Sequence, residues 1–333
     1  MRKSFPAFAA SIAAAAIVAL APAQAAEPEP LQVEAKIPLG QVKGRIDHMA
    51  IDLARGRLFV AELGNDTVAV VDVKANRLVQ VIAGLKEPQG VGYVPATETL
   101  YVANARDGSV QLFRGERYTP GDAVRLGSDA DNIRFDAATG RLLVGHGGGA
   151  IAVIDPASVS KPDDIPLPGH PESFQVTGDG KRIYVNVPGA RMIAVLDPAT
   201  GKMTARWRTE NLGGNFAMAL DETAHEVIVA FRHPAKLVAF AMADGRVSAA
   251  ADTCGDIDDV FVDAKRQRIY ASCGDGFVDV LDKASTPWRR LARVRTVAGA
   301  RTSLFVPQLD RLYVAVRANG GEPAAIWVLR PTP

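Results

Sequence analysis

The run Leu100-Tyr101-Val102 decides how this chain is read, because six other runs repeat it: Leu58-Phe59-Val60, Leu142-Leu143-Val144, Ile183-Tyr184-Val185, Val227-Ile228-Val229, Ile269-Tyr270-Ala271 and Leu312-Tyr313-Val314. The last residues of successive copies lie 42, 42, 41, 44, 42 and 43 positions apart. Independent strands would not keep such a period. A repeat of about 40–45 residues built from short strands is one propeller blade, not a helical solenoid unit. Seven copies predict an all-β, seven-bladed β-propeller with four-stranded antiparallel blades.

Each period has a constant order. An inner strand comes first, then a tight turn such as Ala137-Ala138-Thr139-Gly140 or Gly178-Asp179-Gly180, then the apolar run above. Third strands alternate as half-buried β structure does, in Val68 to Asp72, Ile151 to Asp155, Ile193 to Asp197 and Phe277 to Leu281. More polar fourth strands, at Leu78 to Ile82, Met203 to Trp207 and Leu291 to Val294, suit the outer edge, where charge blunts pairing with other chains. The last blade runs out after Ile326-Trp327-Val328-Leu329, while Leu31 to Ile37 precedes the first blade without a partner. The two ends are therefore expected to pair and close the ring.

At the amino terminus, Arg2 and Lys3 precede an apolar run from Ala7 to Leu20 and the small residues Ala23-Gln24-Ala25-Ala26. This is the grammar of a secretory signal peptide, and the run is shorter than the roughly 20 apolar residues of a membrane-spanning helix. Residues 1–26 are expected to be removed, leaving a single propeller domain over 27–333 in the periplasm with no membrane span. That mature chain keeps 36 Lys and Arg, the total of 38 less Arg2 and Lys3, against 37 Asp and Glu. A near-neutral chain without a basic run argues against general nucleic-acid binding, which needs a cationic excess to neutralise phosphates.

Tyr101-Val102-Ala103-Asn104, followed by Asp107-Gly108-Ser109-Val110, resembles the YVTN-type repeat of YncE-like bacterial propellers, and the other copies are degenerate versions of it. The resemblance extends over nearly all of the mature chain. It implies the propeller fold and export, and it leaves activity open, because the fold hosts binders and enzymes alike.

Blade geometry places the loops leading into the inner strands and those leaving the second strands on one face, around the mouth of the central channel. Four of the five histidines, His48, His146, His170 and His233, fall there, whereas His225 lies in a turn of the other face. His48, His146 and His170 are candidate proton carriers or ligand contacts, or else ordinary hydrogen-bonded rim histidines. Asp47, Asn132, Asn186, Asn215, Arg232, Asp259 and Arg301 are candidate ligand-binding residues. Arg232 and Arg301 offer planar forks for a carboxylate or phosphate, and beside several acids they equally suit internal ion pairs.

Asn132, Glu172, Asn215 and Asp258 are similar in residue type to the Glu, Asn, Asn, Asp calcium set of six-bladed propeller lactonases. A divalent cation such as calcium takes six to eight oxygens of this kind. The same residues also serve as loop caps, and seven repeats change the angular spacing.

Cys254 and Cys273 belong to one blade, and repeat geometry brings both near the same rim. A disulfide is expected, with a metal-binding or nucleophilic pair as the alternative. No Cys-x-x-Cys-His, Gly-x-Ser-x-Gly, Gly-x-x-x-x-Gly-Lys or His-Glu-x-x-His motif occurs, so neither haem nor nucleotide is expected. Gly145-His146-Gly147-Gly148-Gly149 leads into a strand and lacks the helix amino terminus of a phosphate cradle.

Two functions fit: a binding protein that presents its rim to a small polar or anionic ligand or to a periplasmic protein, or a cation-dependent hydrolase or lyase of lactonase type. They differ in whether the histidines share a reaction point with the oxygen ligands or are fixed by rim carboxylates.

Overall fold

The structure is a computed structural model that describes residues 1, 3–4, 29–158 and 163–333. Arg2 and the apolar run of the expected signal peptide lie outside the described residues. Seven four-stranded antiparallel sheets form the blades of the ring. The second strands are buried nearly end to end because a neighbouring blade covers each face. Thr99–Asn104 of blade 2 is wholly buried, and a strand covered on both faces reads as a continuous apolar run instead of an alternating one. The fourth strands alternate instead; in Lys202–Arg208 the charged positions are exposed while Trp207 is buried.

Aspartates finish many strands and shape the turns that follow. Asp52, Asp136, Asp221 and Asp263 end inner strands, and each accepts backbone N–H groups two or three residues on, as from Ala54 at 3.0 Å and Ala138 at 3.0 Å. These Asx turns consume a large share of the chain's acids locally. Gly140 closes one of them with φ 69°, where a side chain would be strained.

The ring closes as the sequence predicts. Leu31–Pro38 forms the outermost strand of the last blade and pairs antiparallel with Ala325–Pro331, Leu31 opposite Pro331 and Ile37 opposite Ile326. Thr332 adds hydrogen bonds from its N–H to the Pro30 carbonyl at 3.1 Å and from its hydroxyl to the Glu29 carbonyl at 2.8 Å. Cys254 and Cys273 form a disulfide with Cα atoms 5.9 Å apart. It ties the start of the sixth blade's inner strand to the end of its second strand.

Candidate functional site

Register fixes which residues surround the channel. The last residue of each apolar run pairs with one inner-strand residue: Met49, Val91, Ile133, Phe174, Met218, Val260 and Ser303 in blades 1 to 7. Two residues earlier stand Asp47, Gln89, Asp131, Glu172, Phe216, Asp258 and Arg301. One strand position, repeated around the ring, thus brings four carboxylates and a guanidinium to one mouth. Register shifts at this end of the inner strands in blades 2, 5 and 6 are β-bulges, a device that re-aims side chains where a strand reaches a rim. The blades also approach closely here: a Cβ on Gly90 would lie 2.0 Å from the Asp131 carbonyl oxygen.

Most charges at the mouth are committed to one another. Asp258 lies between two guanidiniums, with Arg232 Nη2 2.6 Å from Oδ1 and Arg301 Nε 2.9 Å from Oδ2. Arg301 also bonds Asp256 at 2.9 Å, and Arg232 donates to the Ile257 carbonyl and stacks 3.7 Å above the Phe216 ring. The anion forks read from the sequence are therefore spent on internal ion pairs, the alternative the sequence left open.

On the other side of the mouth, Asp47 is buried and holds Arg45 at 2.7 Å. His48 stands between Asp47 and Asp259, 3.7 and 3.8 Å from their oxygens. Burial acts to lower the His48 imidazolium, but the Asp47 charge and then Asp259 outweigh it and lift the group to about 10. His170 Nδ1 donates to the Gly147 carbonyl at 2.7 Å, with Asp129 and Asp131 at 3.6 and 3.9 Å. Its pKa rises to about 9, chiefly through Asp131. Both imidazoles are thus charged at neutral pH and have no lone pair with which to take a proton. His146 differs from both: its Nε2 pairs at 3.0 Å with Asp164 of the blade's outermost strand, which turns it away from the mouth. His233 is exposed.

Glu172 is the exception among these acids. Half-buried, it makes neither an ion pair nor a side-chain hydrogen bond among the described residues. Burial first, then the facing Asp131 and Asp258 carboxylates, push its pKa up to about 7 against the opposing pull of His170 and Arg232. Asp47 is raised too, by burial, and it feels the same Asp131 and Asp258. These cross-ring couplings are what convergence on the channel axis produces.

Of the oxygen set expected to hold calcium, Asn132, Asn215 and Asp258 are buried and Glu172 is half-buried. Asn215 is fully buried, and its amide donates to Asn186 Oδ1 at 3.2 Å and to the Met192 carbonyl at 2.9 Å. Asn186, also fully buried, donates to the carbonyls of Phe216 and Ala217 and so ties blade 4 to blade 5. Both amide N–H groups are thus used within the framework, while Asn215 Oδ1 is buried without a hydrogen-bond partner. Asp258 Oδ1 accepts from Arg232 Nη2, its Oδ2 lies 2.9 Å from Arg301 Nε without a hydrogen bond, and Asn132 is 1 % exposed with its Oδ1 lacking a hydrogen bond. Among the described residues no group of three or more His, Cys, Asp or Glu side chains is placed to hold a metal ion.

The likeness to solved structures is one of fold. A chain of the Kuenenia stuttgartiensis hydrazine synthase superposes with a TM-score of 0.74 at 18% identity, covering 83% of this chain and 95% of that one. A chain of a mitotic checkpoint complex gives 0.75 at 12% identity, covering 95% and 98%. No family model and no curated protein matches the chain. The seven-bladed propeller is thereby shown, and function rests on the site.

Below the mouth, a cavity of about 510 Å³ follows the channel from His48 and Asp259 towards Glu222 and Pro307 of the other face. Its walls mix apolar side chains, Met49, Val91, Met218, Phe261 and Leu304 among them, with about as much polar surface. It also contains Arg134, a residue missed in the sequence, where Ile133-Arg134-Phe135-Asp136 reads as ordinary strand alternation. Aligning the seven inner strands would have exposed it as the charged member of its position. Arg45 and Asp129 were likewise missed, because each lies a few residues outside the repeat positions and acts only through a neighbour. Among the described residues no helix is long and apolar enough to cross a membrane.

Proposed function

We propose that this chain is an exported, YncE-like propeller that binds rather than transforms its ligand. On this reading the charged rim receives a small polar ligand, or a side chain of a protein partner, that presents a cationic or donor group to Glu172. The observation that carries the reading is the Glu172 carboxyl, without an ion pair or side-chain hydrogen bond among the described residues, at a mouth where Arg232 and Arg301 are already paired with Asp258 and Asp256. Asp131 Oδ1, buried and without a hydrogen bond, adds acceptor capacity beside it. The fixed pairing of His48 and His170 with aspartates favours binding over a mechanism that needs a neutral histidine base. Export rests on the sequence of residues 1–26.

Titration calorimetry with amines such as spermidine and glucosamine, a neutral polyol such as sorbitol, and an anion such as citrate tests the proposal. Saturable binding of an amine, weakened at least tenfold in Glu172→Gln, is expected. Absence of amine binding, or binding indifferent to that substitution, overturns it. A carboxyl with a pKa of about 7 also suits proton transfer, so a hydrolase or lyase with Glu172 as proton carrier is the second reading. Turnover of a lactone or ester that Glu172→Gln abolishes would favour it.

A further inference from the structure

One residue beyond the inner-strand positions that pair with the apolar runs, the chain places Ala50, Gly92, Gln175, Ala219, Phe261 and Leu304 in six blades and Arg134 in the third. All seven line the channel cavity. A guanidinium stays ionised in proteins, and desolvating it without a counter-charge is costly. Other interior cations of this molecule are paired; Lys283, for instance, lies 2.9 Å from both Asp221 and Glu226. Arg134 has no ion pair among the described residues. Its one side-chain hydrogen bond runs from Nη1 to the Ile133 carbonyl at 2.8 Å, and its guanidinium lies 5.7 Å from the Phe174 ring centre. The charges that act on it are Asp259, already engaged by His48 at 3.8 Å and by the Ser303 N–H at 2.8 Å, and Asp131, which lies 3.9 Å from His170. Glu222, at the far end of the cavity, accepts the Gly178 N–H at 2.8 Å.

We propose that the channel is a second binding site, separate from the rim, for a small carboxylate with an apolar body, whose anionic end is held by Arg134 and whose body lies against walls such as Phe261 and Leu304. An arginine has five N–H donors, and the single carbonyl contact leaves most of the fork for a bidentate carboxylate. A cavity of about 510 Å³ is within the size range of small-molecule sites. Apolar wall residues such as Phe261 and Leu304 offer the ligand's body a contact surface that a bare inorganic anion would not use. Because His48 and Asp259 are tied together at the rim end, the ligand approaches from the face of Glu222 and Pro307.

Hexanoate is the probe, titrated into the whole mature chain and followed by calorimetry and thermal unfolding. We expect saturable binding that raises the melting temperature, with acetate, hexanol and hexylamine each at least tenfold weaker. Arg134→Met keeps the bulk of the side chain and removes the fork, and should weaken hexanoate at least tenfold. Leu304→Trp narrows the channel while leaving Arg134 in place, and should do the same, so it decides the matter if Arg134→Met fails to fold. Glu172→Gln should leave hexanoate binding unchanged, which separates this site from the rim. No hexanoate binding, hexanol binding as tight as hexanoate, or hexanoate affinity indifferent to the channel variants overturns the proposal.

Discussion

Arg232 reaches from blade 5 to Asp258 in blade 6, Nη2 to Oδ1 at 2.6 Å, and so joins two blades by a charge pair at the channel mouth. Arg301 of blade 7 completes the clasp from the other side. Removing the shared acid would leave two half-buried guanidiniums with Asp256 alone. Asp258→Ala is expected to cost about 3 kcal/mol, the scale for stripping one partner from a buried ion pair, read from the midpoint of urea unfolding. A loss below about 0.5 kcal/mol would show the clasp to be as weak as a surface pair.

Glu172 should make stability fall as pH rises through the weakly acidic range. Its folded pKa of about 7 exceeds the ordinary 4.5, so between these values the unfolded chain releases the proton while the folded chain keeps it. The loss begins near pH 4.5 and is complete above about 7. Glu172→Gln should therefore match the wild type at pH 4 and exceed it by about 1 kcal/mol at pH 8, after allowance for partial solvent screening. Chemical denaturation across that range checks both ends.

His170 gives a window displaced upward. Its pKa is raised from 6.5 to about 9, so its stabilising contribution is full below pH 6.5 and disappears as pH rises through 9. His170→Gln should cost about 1 kcal/mol at pH 6 and close to nothing at pH 10. Equal losses at both pH values would assign the residue to packing instead of charge.

Cys254 and Cys273 are 19 positions apart. On the chain-entropy account a loop of this size contributes about 3 kcal/mol by restricting the unfolded chain. The Cys254→Ser/Cys273→Ser double variant should unfold at a correspondingly lower denaturant concentration and retain its strand content by circular dichroism. Loss of that strand content in the absence of denaturant would show that the bond is needed to form the fold at all.

Deleting residues 31–37 would leave Ala325–Pro331, with its buried Ile326 and Leu329, as an uncovered edge. Such edges template association. The truncated chain should elute as aggregates in size-exclusion chromatography, while an exposed-face change in the same strand, Val33→Thr, should leave it monodisperse.

The architecture was legible because burial on both faces forces each second strand to be apolar, so seven copies of one environment print seven copies of one pattern. Closure and the disulfide followed from counting strands and cysteines. The mouth was legible as a location, since repeat geometry places Asp47, Glu172 and Asp258 at one level. What each residue does there was not. Whether Asn186 faces a ligand or the next blade depends on side-chain direction, and Arg232 and Arg301 look alike in sequence whether free or clasped to Asp258. Arg134 escaped because alternation along one strand hides a charge that only comparison between blades reveals.

The pairing of Leu31 with Pro331 also has a kinetic meaning. Contacts between residues so far apart are the slowest to be found, because the whole intervening chain must first be gathered. The blades are local structures that can form within short segments, whereas the ring is complete only when the earliest-made strand meets the latest. Closing the ring therefore depends on one seam joined by no hairpin, whose partners are the most distant paired strands of the described chain.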